Sequence, residues 1–445
     1  MGVQYRLTTT IIEDLTMELR PEQMAGPEQS EIRATRLPAE WERQSGVQLT
    51  WPHGGTDWKP ILGEVTECYV RMALEIATRE RLVVVTPEPD AVNRLLRERL
   101  PSRLLPNITL CEAPTNDTWA RDHGFITLQT SMGCLLLDFQ FNGWGQKFPA
   151  DLDNQICRRM MEQGVLDGQY EDHLDFVLEG GSIESDGKGT ILTTSRCLLA
   201  RNGNVSGGKQ TPPLPLPLEG RGVVSGGKSE IEERLKRYLH AERVLWLDYG
   251  YLAGDDTDSH IDTLARFCPN DTIAYVQCTD KEDEHYEELK RMEAQLREFR
   301  TLDGRPYRLL PLPMARKQYE KMREGENEKM REGENEKMRE GENERMREGE
   351  NEKMREGENE KMREGENEKM REERLPATYA NFLCVNGAVL MPTYGDAERD
   401  ERARRQLQSA FPKHEVVPID CRVLIEQHGS LHCCTMQFPQ GVIRG

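Results

Sequence analysis

Residues 81–100 read RLVVVTPEPDAVNRLLRERL. The valine-rich run predicts a strand over 81–87, and the spaced apolar side chains after Pro89 predict a helix over 89–100. The same succession recurs along the chain. Further strands are expected over 133–141, 190–199, 243–249, 272–278 and 387–394, and further helices over 61–80, 151–163, 229–240, 281–299 and 397–410. Short strands alternating with helices predict an α/β fold.

An octapeptide array interrupts this pattern. EKMREGEN occurs six times from Glu320 to Asn367, once with Arg345 in place of lysine, and a partial copy ends at Glu372. Successive methionines would lie about 80° apart around a helix and form no stripe. One glycine per copy also weakens a helix by about 1 kcal/mol. We expect 320–372 to be a solvated surface insertion, with partner binding as the alternative.

A second insertion is marked by a duplication. VSGGK occurs at Val205–Lys209 and again at Val224–Lys228, on either side of QTPPLPLPLEGRGV. The prolines favour a surface loop with polyproline character over 205–228, and a ligand for an SH3-like domain is the alternative. We expect residues 1–36 to form an N-terminal extension and 37–445 a single catalytic domain that carries both insertions.

Composition restricts the function classes. The formal net charge is -19, and the chain has no stripe of lysines and arginines, so a nucleic-acid partner is not expected. No apolar run approaches the roughly 18 residues that span a bilayer. The N-terminal residues lack the apolar core of a signal peptide, which predicts a cytoplasmic protein. The eleven cysteines include no CxxC pair and are expected to be mostly buried. No glycine-rich phosphate loop follows a strand, so nucleotide binding has no support.

Four stretches place reactive side chains beside predicted strands, where functional loops are common. They are NDTWARDHG (116–124), LEGGSIESDGKGT (178–190), GDDTDSHIDTLARF (254–267) and HGSLHCCT (428–435). Together they can supply the cysteine, the histidine and the three carboxylates that nucleophilic attack on a guanidinium requires. Carboxylates grip the planar cation in paired hydrogen bonds, a thiolate attacks its carbon, and histidine transfers protons.

Each stretch also has a purely structural interpretation. His260 and Asp262 would share one face of a strand and form an ordinary hydrogen bond. Arg121 and Asp122 would form a buried pair, and Glu179 would be solvated beside a bend at its two glycines. A divalent cation is the alternative for the aspartates of GDDTDSHID, although the spacing of a calcium loop is missing.

In this order the stretches resemble the agmatine deiminase family, which includes relatives of the Porphyromonas-type peptidylarginine deiminase. LPAEWERQSGVQLTWPH (37–53), LPATYANFLCVNGAVLMPTYGD (375–396) and LHCCTMQFP (431–439) extend the similarity over almost all of the chain outside the insertions and the N-terminal 36 residues. The resemblance implies a five-bladed α/β propeller, the pentein fold, built of pseudo-repeated ββαβ units with the site on its axis.

The resemblance also implies the roles of individual residues. Cys433 is the nucleophile, preceded by His432, and Cys434 is a packing residue. His260 is the general acid and base, Asp122 and Asp262 bind the guanidinium, and Glu179 assists binding and proton transfer. Trp119 lines the substrate channel. The implied reaction converts agmatine and water into N-carbamoylputrescine and ammonia through a covalent thiouronium, in support of putrescine and polyamine synthesis, and it needs no metal and no cofactor.

One departure concerns substrate selectivity. Agmatine-specific members often have a glycine triplet and an asparagine before the HC pair, where this chain has Gln427, His428, Gly429 and Ser430. Peptidyl-arginine and free arginine therefore stay as alternative substrates. An interaction protein built around the octapeptide array is the non-enzymatic alternative. The expected partners are a small cationic guanidine and, at most, further copies of the chain.

Overall fold

The computed structural model describes residues 35–202, 225–319 and 374–443. These residues form an α/β fold with five small sheets, one of four strands and four of three strands. All six strands predicted from the sequence are present, each starting within a residue of the predicted position. Helices lie in the chain between the parallel strands of each sheet, because a parallel pair needs a long crossover connection.

The first sheet contains both the first and the last strand of the described chain. It has the order β16-β1-β2-β3, with β1 at Gln44–Thr50, β2 at Arg81–Thr86, β3 at Ile108–Glu112 and β16 at Thr435–Pro439. Helix α1 (Leu62–Arg79) connects β1 to β2, and α2 (Pro89–Arg99) connects β2 to β3. β16 runs antiparallel to β1, whereas β2 and β3 run parallel to it.

The other four sheets repeat one pattern, in which an antiparallel hairpin is followed by a helical crossover to a parallel strand. Their strands are β4 Ile126–Thr130, β5 Gly133–Gln140 and β6 Gln169–Val177; β7 Ile183–Ser185, β8 Thr190–Thr194 and β9 Arg243–Leu247; β10 Ala265–Cys268, β11 Thr272–Gln277 and β12 Arg308–Pro313; β13 Leu383–Val385, β14 Ala388–Thr393 and β15 Glu415–Asp420. Their helices are α3 Ala120–His123, α4 Gly143–Gln146, α5 Ile156–Glu162, α6 Ser195–Asn202, α7 Ser225–Leu239, α8 Ile261–Leu264, α9 Tyr286–Glu298 and α10 Ala397–Ala410.

Some predicted boundaries are wrong. The strand expected over 190–199 ends at Thr194, and α6 begins at the next residue and buries Cys197 and Leu198. The helix expected over 281–299 begins only at Tyr286, after a turn in which the Asp283 carboxylate accepts the backbone N–H of His285 at 3.1 Å. Such a local side-chain bond offers the backbone an alternative to the helix.

The insertions and the extension lie mostly outside the described residues. Ser225 to Lys228, predicted to end the second insertion, belong to α7. Tyr319 and Arg374, on either side of the octapeptide array, are joined by an antiparallel bridge, so the array leaves and rejoins the domain at one place. Arg36 already pairs with Gln129 in the second sheet, one residue before the predicted domain boundary.

The interior is apolar, as the burial of the strands requires. All eleven cysteines are buried and none forms a disulfide bond, which confirms the prediction that most of them are buried. Within the described ranges, no helix has both the length and the apolar character needed to cross a bilayer.

Candidate active site

The four reactive stretches occupy equivalent places in the fold. Each lies immediately before the first strand of a sheet pattern: Asp122 before β4, Glu179 before β7, Asp262 before β10 and Cys433 before β16. Loops at equivalent ends of neighbouring sheets converge, and the structure brings all of the predicted site residues into one buried cluster. His260 caps the one-turn helix α8 that contains Asp262, so the expected placement of the two residues on one strand is wrong.

His260 is held between two carboxylates. Its Nε2 lies 2.8 Å from Glu179 Oε2, and its Nδ1 lies 3.7 Å from Asp122 Oδ1. Glu179 is in turn fixed by Arg201, whose Nε donates to Oε1 at 2.8 Å. Glu179 is buried, which rules out the structural alternative in which it is solvated beside its two glycines. Asp122 accepts the indole N–H of Trp144 at 3.0 Å, which orients its carboxylate.

His432 positions the other carboxylate. Its Nδ1 lies 2.8 Å from Asp262 Oδ2, and its Nε2 lies 2.9 Å from both carboxylate oxygens of Glu40. Arg266 reaches the same nitrogen at 3.0 Å and also bonds Glu40. Arg121 bonds Glu40 and Gln437, which rules out the structural alternative of an Arg121–Asp122 pair.

The thiol of Cys433 faces this cluster. Its Sγ lies 3.9 Å from Asp262 Oδ2 and 3.3 Å from Asn381 Nδ2. Burial raises the pKa of this thiol well above its usual value, and the charges of Asp262 and Asp122 raise it further. Without a bound cation, Cys433 is therefore a neutral thiol at neutral pH.

The pKa shifts of His260, Glu179 and Asp122 depend on one another, because the three charges lie close together. Burial opposes ionisation of His260, but the Asp122 charge, Cys197 and the hydrogen bond to Glu179 together raise the His260 pKa well above 6.5. Burial likewise opposes ionisation of Glu179, yet Arg201 and His260 lower its pKa. Burial and the Glu179 and Asp262 charges raise the pKa of Asp122 to about 6, against the effect of His260.

The pKa of the second histidine shifts in the opposite direction. Burial, together with Arg121 and Arg266, lowers the pKa of His432. The ring lies between two carboxylates, with Nδ1 against Asp262 and Nε2 against Glu40. Burial opposes ionisation of Asp262, but the hydrogen bond and charge of His432 lower its pKa, so Asp262 is a carboxylate.

Gly181 leaves room among these groups. A Cβ on residue 181 would lie 2.6 Å from His260 Nδ1, 3.0 Å from Asp122 Oδ1 and 3.2 Å from Asp262 Oδ2. Across residues 35–202, 225–319 and 374–443, His260 Nδ1 and Asp262 Oδ1 are buried and have no hydrogen-bond partner. Buried polar atoms are normally satisfied, so this pair of unsatisfied atoms indicates a polar ligand.

Aromatic side chains enclose one side of the cluster. Trp119 packs against Trp58 and Trp144 at centroid distances of 5.7 and 6.5 Å and donates to Asp117 at 2.9 Å. Its ring lies so close to Gly429 that a Cβ there would be 2.1 Å away. Gly429, within the stretch that departs from the family pattern, is therefore required by Trp119.

Metal-binding interpretations are weakened by hydrogen bonds. Asp258 is paired with Arg201 at 2.6 Å and with Lys147 at 3.3 Å, while Asp255 bonds its own loop. Glu179, Cys197 and His260 do place three ligand atoms within 4.8 Å of one another. Both oxygens of Glu179 are already bonded, to Arg201 and His260, so the protein itself satisfies this group.

Sequence reasoning missed four residues of the cluster: Glu40, Arg201, Arg266 and Asn381. Arg201 follows a strand that was predicted to be longer, and nothing in its sequence context marks it. Glu40 and Asn381 lie in LPAEWERQSG and LPATYANF, stretches which were recognised as family motifs but contain no obvious reactive pattern.

Comparisons with known proteins extend the similarity over most of the chain. The profile of the Porphyromonas-type peptidyl-arginine deiminase family matches residues 36–212 and 224–439. A Porphyromonas gingivalis crystal structure, provisionally named an arginine deiminase, is 43% identical, covers 92% of this chain and 100% of that chain, and has a TM-score of 0.70. The C. jejuni agmatine deiminase, solved with substrate bound, is 30% identical with a TM-score of 0.70 and covers 92% and 97% of the two chains. The agmatine deiminase of Pseudomonas aeruginosa is 29% identical over 91% of this chain and 95% of that protein.

Proposed function

Because this chain belongs to the Porphyromonas-type peptidyl-arginine deiminase family, we propose that it is a hydrolase of linear amidines that converts agmatine and water into N-carbamoylputrescine and ammonia. The observation that carries the proposal is the space beside Gly181, bounded by Asp122, Asp262 and His260 and facing the Cys433 thiol. A guanidinium is planar and offers hydrogen bonds along its edges, which suits two carboxylates on opposite sides.

Binding and activation are coupled through charge. Asp262 Oδ1, which has no partner within the described chain, accepts one edge of the guanidinium, and Asp122 accepts another. The bound cation then offsets the two carboxylates that raise the pKa of the Cys433 thiol. We infer that the thiolate forms mainly after the substrate binds, which protects the free enzyme from alkylation and oxidation.

The proposed reaction has two steps, and both take place at the guanidinium carbon. The sulfur of Cys433 forms a bond to the guanidinium carbon, and the C=N electron pair moves to nitrogen. His260, held as a cation, gives its proton to the departing nitrogen, which leaves as ammonia, and a thiouronium remains on Cys433. His260 then takes a proton from water as the water oxygen attacks the carbon. The C–S bond breaks with its electron pair on sulfur, and the hydroxyl proton passes to that sulfur, so the ureido product is released and the Cys433 thiol is restored.

Agmatine is favoured over arginine by the surroundings of Trp144. This indole donates to Asp122 and also lines a pocket that includes Asp57 and Asp117. Among the described residues that line this pocket, none is a lysine or arginine. The ammonium of agmatine suits such a lining, whereas the carboxylate of free arginine would have no counter-charge. Product formation would then supply putrescine and polyamine synthesis.

The names of the relatives support a second candidate. The P. gingivalis structure at 43% identity is provisionally named an arginine deiminase, and a structure at 36% identity is provisionally named a peptidyl-arginine deiminase. Ammonia release should therefore be measured on agmatine, free arginine and an arginine peptide, each over a range of concentrations. We expect kcat/KM to be at least about 10²-fold higher for agmatine. Ammonia release from the peptide alone would indicate that the substrate is peptidyl-arginine and not agmatine.

The five sheets are proposed to close into a five-bladed propeller around the site. Two features support this: the ββαβ pattern repeats, and β16 completes the sheet that begins with β1. The convergence of one site residue from the start of each pattern also suits a central axis. An experimental structure tests closure directly, and an open arrangement of the first and last sheets would reject it.

A further inference from the structure

The fifth sheet also contributes a residue to the cluster. Asn381 lies just before β13, the place in its sheet that corresponds to those of Asp122, Glu179, Asp262 and Cys433. Its side chain is fully buried. Its Nδ2 lies 3.3 Å from the Sγ of Cys433 and 3.5 Å from the backbone oxygen of Asp262, and its Oδ1 accepts the S–H of the neutral thiol at 3.4 Å.

The orientation of the Asn381 carboxamide is fixed by backbone donors. Its Oδ1 accepts the N–H of His432 at 2.8 Å and that of Cys433 at 3.4 Å. A flipped amide would point its NH₂ group at two N–H donors and leave them without an acceptor. The same bonds hold the amide against the backbone of Cys433, so the Nδ2 donor keeps its position relative to the Cys433 sulfur.

We propose that Asn381 is a catalytic residue that donates an Nδ2–H hydrogen bond to the Cys433 thiolate. The inference rests on the proposed function, in which Cys433 is the nucleophile. The other side-chain group near the sulfur is the Asp262 carboxylate, which opposes a negative sulfur. The Asn381 amide supplies the compensating donor, since hydrogen bonding to a charged form favours that form.

A neutral donor suits this position better than a cation. The Cys433 sulfur faces the space that a guanidinium occupies, and a lysine, arginine or protonated histidine there would repel the substrate. An amide stabilises the thiolate without adding charge, so the cationic substrate keeps its full attraction to Asp122 and Asp262.

The test is the pH dependence of Cys433 alkylation by iodoacetamide, followed by mass spectrometry without substrate. In Asn381→Ala we expect the midpoint to rise by about one to two pH units, the loss of one hydrogen bond to a charged group. Turnover should fall by about 10²-fold in kcat, with KM within a few-fold. Asn386→Ala is the matched control. The half-buried amide of Asn386 bonds the backbone of Gln44 and not the sulfur, so the alkylation midpoint of this variant should equal that of the wild type.

A second variant keeps the test decisive if alanine prevents folding. Asn381→Asp retains the shape and the Oδ1 acceptor for His432 and Cys433 but replaces the donor by an oxygen. Its midpoint should also rise. A midpoint equal to the wild type in a folded variant overturns the proposal. Because alkylation needs no substrate, it separates this outcome from failure of the deiminase proposal, which the ammonia assay of the wild-type protein tests.

Discussion

Gly181 lies against His260, such that a Cβ on residue 181 would be 2.6 Å from Nδ1 of the imidazole. That contact is shorter than any ordinary Cβ contact, and Asp122 and Asp262 would be nearly as close. The glycine is required by the space around the reacting groups and not by its own backbone, because its φ is not positive.

Gly181→Ala should therefore reduce kcat/KM by about 10²-fold or more, since a methyl group would occupy the guanidinium space and displace the imidazole. The measurement is ammonia release together with the Tm. Gly63→Ala in α1 is the control, because nothing lies within 4 Å of its Cβ and activity should not change. Equal activity in both variants would remove the space beside Gly181 from the site.

Substitutions of Cys433 and of Cys434 should have clearly different effects on turnover. Cys433→Ser should lose turnover with an unchanged fold, because serine is a far weaker nucleophile. Cys434 is completely buried, so Cys434→Ala should destabilise the protein by about 1–2 kcal/mol as a small cavity but retain most activity. Ammonia release and urea unfolding of both variants decide; loss of turnover in Cys434→Ala alone would reverse the assignment.

Acid should weaken substrate capture through Asp122. Burial raises its pKa to about 6 in the free protein, and only the carboxylate attracts a guanidinium. As pH falls through 6, Asp122 gains a proton, so kcat/KM for agmatine should fall about tenfold per pH unit below that value. Circular dichroism at pH 5 provides the folding control. A flat profile between pH 7 and 5 would contradict the role of Asp122.

Glu40 should stabilise the fold in a pH-dependent way. It lies among Arg121, Arg266 and His432, and although burial opposes its ionisation, these partners hold its pKa well below 4.5. The stabilisation is complete above the ordinary pKa of a glutamate and is lost as pH falls below it. Glu40→Gln should cost about 3–5 kcal/mol in the free energy of unfolding at pH 7.

The same Glu40→Gln variant should lose less at pH 4, because the glutamate of the unfolded chain then binds a proton that the folded protein excludes, and the wild type has already lost part of this stabilisation. Urea unfolding at both pH values gives the difference. Glu42→Gln is the matched control: Glu42 pairs with Arg36 near the surface at 2.6 Å, and its loss should cost about 1 kcal/mol or less. A pH-independent deficit in Glu40→Gln would show that only packing was lost.

Removal of the octapeptide array should leave catalysis unchanged. Tyr319 and Arg374 are bridged, so a short glycine–serine linker can join them without strain. The deletion of 320–372 should keep kcat and KM within about twofold and leave the Tm nearly unaltered. A large loss of turnover would tie the array to the enzyme, and loss of a binding partner with full turnover would support the interaction alternative.

The sequence predicted the α/β class and the residues with reactive groups, because strand runs and the reactive stretches are local features. Asp122, Glu179, His260, Asp262 and Cys433 were all candidates, and the structure places them in one buried cluster. What local pattern could not predict is the contribution of distant partners. Glu40 contacts His432 across 392 residues, and Arg201 reaches Glu179 from a helix that the strand prediction had covered. The surroundings of a side chain decided its state as well: Glu179 looked solvated beside two glycines and is instead buried against an arginine.

The pairing of β1 with β16 has a consequence for folding during synthesis on the ribosome. Ser45 bonds a carbonyl 394 residues later in the chain, so the first sheet lacks its outer strand until those residues have been synthesised. Cys433 precedes that strand by only two residues. A growing polypeptide therefore acquires Cys433, the proposed nucleophile, just before the strand that completes its first sheet, and a nascent chain that ends before residue 433 lacks this thiol.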